Sequence, residues 1–446
     1  MPAPAPSLGP VLRTLERRPF RRFVLVGMST ALLGAWLWQT LISQFLNPSD
    51  YDPADFHVYM GAAAALAHGA NPYTAFLTST APDAAFTTGY VYPPLLAWLL
   101  QPVAGLQGPG LDLACLVVLQ VTLVLAVALL LRALDVRSWE MRVLILALAV
   151  SWYPVRFDIG GQINMVIFAL VVICFAGYLR GDRWWGGAAL GVSIAFKLLT
   201  APLLLLLAWR RSWAAILTAV ATVAVLWLIA APQFLLSYLL DVAPRVGAGT
   251  GFRENQTPTA LISRLLDPAS YLGQTHPLSW TVRLLALAVA VAVVLVTWRV
   301  IGRRQRLDRT GRALEFAAVL AAMPLCVALQ TPSHYVTLLV SIAVLVVVAA
   351  ARRDALVIWL VVATYVLTGP AHQAFLAAIQ AGFGNRLALG AWAELSGVVP
   401  LTMLWAASLV ALRRYGSVAG SRALTIERAA SAPGRGPLSV ELEPLG

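Results

Sequence analysis

The sequence predicts an all-α polytopic membrane protein, and three observations carry that prediction. Sixty per cent of the 446 residues are hydrophobic and only 12% are charged. Apolar runs of 18 or more residues recur along the chain, each long enough to cross about 30 Å of hydrocarbon. The arginines gather in short polar connections between those runs, as the positive-inside rule expects of cytoplasmic loops. The net charge of +12 therefore reports topology, and the expected surroundings are membrane lipids with no nucleic-acid partner.

The first run, Phe23–Leu46, follows Arg13, Arg17, Arg18, Arg21 and Arg22 and has no clear cleavage site. At 24 residues it is too long for a signal-peptide core, so it reads as an uncleaved first span with a basic cytoplasmic segment, 1–22, before it. No Lys or Arg occurs between Arg22 and Arg132, while Asp50, Asp52, Asp55 and Asp83 fall there, which makes 47–110 a first outer loop. Within it, Asp52 is expected to cap and Pro53 to start a helix that stops at Gly69. A short outer or re-entrant helix is expected over Tyr92–Leu106, opened by Pro93 and Pro94.

Spans at Leu111–Leu131, Met141–Val155 and Ile163–Leu179 follow, which puts Arg156–Asn164 at the outer mouth. Arg180 and Arg183 read as cytoplasmic, and so do Arg210 and Arg211, yet only 26 residues separate Arg183 from Arg210. Two arms of 12–13 residues are each too short to span alone, so a broken re-entrant helix pair is predicted with Lys197 at its apex. Further spans at Trp213–Ala231, Trp280–Arg299, Leu314–Leu329, Val336–Ala350, Ala355–Leu367 and Ala391–Leu412 bring the expectation to about 12 membrane segments in a domain of 23–412. Residues 413–446, rich in Ala, Ser, Gly and Pro, are expected to be a disordered cytoplasmic tail.

Lys197 is the only lysine among 32 basic residues, and it stands inside the otherwise apolar or small run Ala188–Leu207. Burying an ammonium in hydrocarbon costs from about 2.5 to more than 10 kcal/mol, so such a charge marks a functional site, a snorkelling side chain or a structural ion pair. Four polar groups of residues converge on the outer side. In the first, Asp55 and Tyr59 share a helix face, and a carboxylate there can act as general base toward a sugar hydroxyl or serve as a second cap. In the second, Gln162 and Asn164 suit sugar hydroxyls or broken backbone. The third is Glu254-Asn255-Gln256-Thr257 with Arg264. The fourth places His334 at the outer start of a span, as a site residue or a structural one.

Other chemistries lack their residues. Cys115, Cys174 and Cys326 are scattered through apolar segments and suit neither a metal nor a disulfide framework. Asp50-Tyr51-Asp52 matches a metal-nucleotide-sugar pattern, but nucleotide sugars are not available on the outer face. The single lysine is not preceded by phosphate-loop glycines, so ATP is not expected to drive the protein. No cofactor is expected.

The stretches Asp55-Phe56-His57-Val58-Tyr59, Gly69-Ala70-Asn71-Pro72-Tyr73, Tyr92-Pro93-Pro94, Gly161-Gln162-Ile163-Asn164, Lys197-Leu198 with Pro202, and Asn255-Gln256-Thr257 with Arg264 appear in this order over roughly residues 20–412. As an ordered set they resemble the bacterial membrane glycosyltransferases of family 87, within the GT-C superfamily. The resemblance implies a GT-C-type bundle with outer-face juxtamembrane helices in the bacterial plasma membrane. It also implies metal-free, inverting transfer of one sugar, mannose first among the candidates, from a polyprenyl-phosphate donor to a lipid-linked or cell-envelope glycan acceptor. Arabinofuranosyl or other sugar transfer, a lipid-carrier flippase and a non-catalytic assembly subunit are the alternative readings.

By the same resemblance the catalytic aspartate falls on Asp55 and a catalytic histidine on His334. A lipid phosphate needs a cation at membrane depth, which Lys197 supplies, with Arg264 or Arg156 as a second. Tyr59, Gln162, Asn164, Asn255 and Gln256 are then left for sugar or acceptor. The chain departs from the family pattern where Leu199 and Ala201 widen a Lys-Leu-Thr-Pro spacing, and where Ser333-His334 stands in place of a His-His pair.

Overall fold

The computed structural model describes residues 18–48, 51–79, 89–106, 108–157, 160–251, 254–267, 278–302, 307–372, 374, 377–378 and 397–416. The expected cytoplasmic segment up to Arg17, Asp83, the beginning of the expected last span and the tail from 417 onward lie outside these residues. Among the described residues every regular element is helical.

The helix α1, Arg18–Trp36, continues through a π turn to Leu46. Then come α2 (Ala54–Ala67), α3 (Thr74–Thr78), α4 (Leu95–Leu100), α5 (Pro109–Ala133), α6 (Trp139–Ser151), α7 (Tyr153–Phe157) and α8 (Asn164–Leu179). The pair α9 (Trp184–Phe196) and α10 (Leu203–Trp209) precedes α11 (Trp213–Ile229), and α12 (Pro232–Gly247) leaves α11 at a bend of 100°. The chain continues through α13 (Pro258–Leu266), α14 (Trp280–Ile301), α15 (Arg309–Ala322), α16 (Leu339–Arg352), α17 (Ala355–Val366) and α18 (Val398–Tyr415).

Four described helices are long and apolar enough to cross a membrane by length and composition, with α11 and α12 a fifth if the bent pair is one span. Burial separates the centre of the bundle from its rim. Twelve of the 16 residues of α8 are buried, whereas only Val282, Val293, Thr297 and Ile301 are buried in α14. A helix apolar all round with that little protein contact has its remaining surface suited to lipid.

Several boundaries differ from the sequence expectation, each for a local reason. The helix after Pro53 starts at Ala54 with Pro53 itself at the cap position, because the Asp52 carboxylate turns to His57 Nδ1 at 3.2 Å. It ends at His68, and Gly69 takes a left-handed φ of 70°. The third expected span breaks at Trp152, whose extended backbone ends α6 and whose indole donates to Thr368 Oγ1 at 3.2 Å. The helix expected from Leu314 begins at Arg309, since the Asp308 carboxylate caps it through Gly311 N–H, and Pro324 helps tighten its end into a 3-10 turn. The next opens as a 3-10 turn, Pro332–Leu338, before α16. The last helix runs to Tyr415, three residues past the expected domain end, because Arg414 and Tyr415 both reach the Asp354 carboxylate.

The broken helix pair has the expected apex. The backbone leaves α9 at Lys197 in an extended conformation (φ −157°, ψ 121°), and a 3-10 turn, Leu198–Thr200, leads into α10. The hydroxyls of Ser193 and Thr200 join the arms at 2.8 Å, and Trp227 of α11 donates to Ala195 O at 3.2 Å.

Both feet of the hairpin are tied to one helix end. Arg210, after the second arm, bonds both carboxylate oxygens of Glu315 at 2.7 and 3.0 Å, Tyr178 at the end of α8 donates to the same carboxylate, and Arg312 pairs with Asp182 before the first arm. The apex instead meets Asn164, at the opposite end of α8 from Tyr178. The hairpin therefore enters and leaves on one side of the bundle.

Close packing holds the first arm. A Cβ on Gly187 would overlap the backbone of Ala215 in α11. Gly187→Ala should therefore push α9 and α11 apart and cost about 1–3 kcal/mol. Thermal unfolding of the purified protein in detergent should show a lowered midpoint, while Gly105→Ala, with nothing within 4 Å of its added methyl, should leave the midpoint unchanged.

Candidate active site

The polar residues picked out in the sequence fall into two clusters joined by the segment 328–334. The first is built around Lys197. Its ammonium donates to Asn164 Oδ1 at 3.0 Å, meets His334 Nε2 at 2.7 Å and lies 5.0 Å from the centre of the Tyr92 ring. Asn164 Nδ2 donates to Gln162 Oε1 at 2.6 Å, and Ser333 Oγ donates to the same oxygen at 2.8 Å. Two donors fill that carbonyl, which leaves the Gln162 amide nitrogen as a donor, and its side chain bonds the Asp55 carboxylate. Asp55, Gln162, Asn164, Lys197 and His334 thus form one hydrogen-bonded chain, with the candidate base at one end and the lone ammonium near the other.

Local backbone makes this convergence possible. Gly161 sits at φ 85°, and a Cβ there would come within 2.7 Å of Phe56 Cβ, so only glycine lets the 160–162 loop lie against the start of α2. That contact brings Gln162 to Asp55. Burial pushes the Asp55 carboxyl above the usual carboxylate range, and the Gln162 hydrogen bond and the positive charge of Lys197 act against it.

The His334 ring cannot accept at both nitrogens, since a neutral imidazole offers one lone pair. The Thr331 N–H donates to Nδ1 at 3.4 Å, and the Lys197 nitrogen lies 2.7 Å from Nε2. His334 is thus held at Nδ1 by the turn that it opens and at Nε2 by Lys197.

Tyr59, expected at the sugar, is 2% exposed and packs edge-on against Tyr92 and Tyr90 with ring centres 5.3 and 6.3 Å away. It supports the ring beneath Lys197. Tyr92, Ser333 and Thr331 complete the cluster, and none stood out as a site residue in the sequence. The only signals were the Tyr-Pro-Pro turn for Tyr92 and the proximity of the two hydroxyls to His334.

The second cluster is spent largely on backbone. The Asn255 amide donates to Thr250 O at 2.7 Å and Ala328 O at 2.9 Å and accepts from Gln330 N at 3.0 Å. Gln256 is fully buried, and its backbone N–H bonds Gln330 O at 2.8 Å. Arg264, 7% exposed, reaches Asn255 O at 3.1 Å and Gly251 O at 3.3 Å. Arg156 stands on α7, which packs against the Pro332–Leu338 turn. These residues frame the segment that presents His334, whereas the hydrogen-bonded chain from Asp55 to Lys197 runs through Gln162 and Asn164.

The family model for glycosyltransferase family 87 matches residues 90–332, more than half the chain, and the chain belongs to that family. The match takes in Tyr92, Gln162, Asn164, Lys197 and Arg264; Asp55 and His334 lie outside it. A Mycolicibacterium smegmatis protein, the polyprenol-phosphate-mannose-dependent alpha-(1-2)-phosphatidylinositol pentamannoside mannosyltransferase, is 31% identical over 290 residues, 60% of this chain and 64% of the relative. A Mycobacterium tuberculosis protein, the polyprenol-phosphate-mannose-dependent alpha-(1-2)-phosphatidylinositol mannoside mannosyltransferase, is 38% identical over 157 residues, 31% of this chain and 36% of the relative. The chain thus spans less than two thirds of the length of these relatives. No solved structure matches it.

Asn255→Ala removes the donor to Thr250 O and the acceptor of Gln330 N–H, each costing about 1–3 kcal/mol when left without a partner in a buried position, and unties the loop that holds Asn255 from the 328–330 segment, where Ala328 O keeps only Thr257 Oγ1 at 3.2 Å. The variant should unfold at lower temperature and be cut faster within that loop by limited proteolysis.

Proposed function

We propose that the protein transfers a single mannose from a polyprenyl-phosphate donor to a glycolipid acceptor at the outer face of a bacterial plasma membrane, with inversion at the anomeric carbon. The observation that carries this reading is the hydrogen-bonded chain from Asp55 to Lys197, in a chain of family 87. The relatives' names supply the donor and the class of acceptor, a phosphatidylinositol mannoside.

In this reading the donor phosphate approaches Lys197 from the lipid phase. The acceptor hydroxyl attacks the anomeric carbon, the bond from that carbon to the phosphate oxygen breaks, and its electron pair leaves on the phosphate. Asp55 takes the hydroxyl proton from the opposite face of the sugar ring. Negative charge grows at the phosphate as the bond breaks, so a fixed ammonium stabilises the transition state more than the ground state. His334 holds that ammonium in place through Nε2, Asn164 and Gln162 carry polarisation between the two ends, and Arg264 and Arg156 lend positive charge around the donor. The apolar helices Asn164–Leu179, Trp184–Phe196, Leu198–Trp209 and Ala355–Ala371 add the remaining segments toward the 12, with α2 to α4 outside and the hairpin apex open to the outer face.

Asp55→Asn keeps the shape and removes the base, so mannosyl transfer from a labelled polyprenyl-phosphate donor should fall by a factor on the order of 10² to 10⁴. The wild-type rate should rise with pH as Asp55 loses its proton. Because burial raises that carboxyl, the acid limb should lie above pH about 3.9, where an ordinary aspartate titrates, and be absent from the residual activity of Asp55→Asn. Near-normal turnover in the variant would remove Asp55 from the mechanism.

Leu198, 36% exposed beside the apex, reports topology. In a cysteine-free background, Leu198→Cys should react with a membrane-impermeant maleimide added outside intact cells. Reaction from the cytoplasmic side alone would reverse the topology and with it the outer-face reaction.

A further inference from the structure

A cavity lies away from the Asp55–Lys197 chain, beside the second arm of the hairpin. It holds about 940 Å³ between α10, α14 and α15, with walls that include Leu205, Leu206, Val294 and Met323. Arg210 and Arg211 line it near the hairpin foot, and a second recess of about 400 Å³, sharing Trp209 and Trp298 with the first, is lined also by Arg299. Among the described residues, the two linings together contain three arginines and no carboxylate. Glu315 accepts from Arg210, while Arg211 and Arg299 are exposed.

We propose that this groove binds an anionic glycerophospholipid of the cytoplasmic leaflet, with an acyl chain along the Leu205–Met323 wall and the headgroup phosphate between Arg211 and Arg299. Charge complementarity selects the ligand. An apolar slot with basic side chains at one end suits a molecule that is apolar along its length and negative at its head. Trp209 and Trp298 stand where amphipathic rings favour the boundary between tails and headgroups. A zwitterionic lipid fills the apolar slot equally well but brings a quaternary ammonium toward the arginines. The assignment to the inner leaflet rests on the topology proposed above, but the choice of headgroup does not, and neither depends on catalysis.

The bound lipid would brace the arm that carries Lys197, because α10 is one wall of the groove and the foot at Arg210 is its end. The groove thus gives a reason for the hairpin's second arm to be short and lipid-exposed at Leu205, which is 65% exposed.

The test uses the full chain purified in neutral detergent, mixed with equal amounts of dioleoyl-phosphatidylglycerol and dioleoyl-phosphatidylcholine and examined by native mass spectrometry. Two arginines on one phosphate should favour phosphatidylglycerol by about tenfold or more. The Arg211→Gln/Arg299→Gln pair should bring that preference close to unity, and Arg283→Gln, at the other end of α14, should leave it intact. Leu205→Trp, which narrows the slot, should reduce retention of both lipids. Elution of each variant as wild type on size-exclusion chromatography confirms folding, and single substitutions replace the pair if the pair does not fold. Equal retention of the two lipids by the wild type, or an undiminished preference in the folded arginine variants, would overturn the proposal. Failure of mannosyl transfer in a separate assay would leave this result standing.

Discussion

The fold is organised around the need to hold one ammonium at the end of a broken helix. Lys197 sits where the backbone is extended, so its neighbours cannot satisfy it through helical geometry, and the surrounding elements supply what it lacks. Asn164 gives a carbonyl oxygen, His334 a ring nitrogen and Tyr92 an aromatic face. Each comes from a different part of the chain. An ammonium stripped of water without such partners would carry a penalty comparable to a domain's whole stability.

Positioning that charge requires the hairpin beneath it to be rigid, and two devices supply rigidity. At its feet, Glu315 gathers Arg210 and Tyr178 while Arg312 holds Asp182. Along its first arm, glycine lets α9 touch the backbone of α11, so the arm cannot shift without opening a gap. The apex is stapled by Ser193 and Thr200. Asp55 reaches this assembly from α2 through Gln162, and Gly161 makes that approach possible. Asp55 and Lys197 are therefore coupled through side-chain amides, which transmit orientation without adding charge.

How much of this was legible in the sequence depends on whether the signal is local. The hairpin apex was readable because basic pairs bracket a run too short for two spans and a unique lysine marks its middle. The helix carrying Asp55 was readable from Pro53 and Gly69. The break at Trp152 was not, since the apolar run continues through it and the indole's partner, Thr368, is 216 residues away. Glu315 gave no warning either; a lone acid near the start of an expected span says nothing about Arg210 or Tyr178. The family resemblance left Asn255 and Gln256 for sugar or acceptor, but Asn255 is occupied by backbone groups of the 250 and 328–330 segments. Periodicity shows where a helix is apolar. It does not show which distant group accepts a hydrogen bond.

The proposed role of Lys197 is to act on the departing phosphate and not merely to serve as a structural charge. It is tested most directly by measuring donor affinity and single-turnover transfer in Lys197→Met beside the wild type, with labelled polyprenyl-phosphate mannose. An interaction that strengthens as the phosphate leaves should cost more in the rate of transfer than in donor binding, and Lys197→Arg should restore only part of the loss because a forked guanidinium does not fit a compact ammonium's site. Equal losses in affinity and rate, or a folded Lys197→Met protein with wild-type turnover, would show that Lys197 does not act on the departing phosphate.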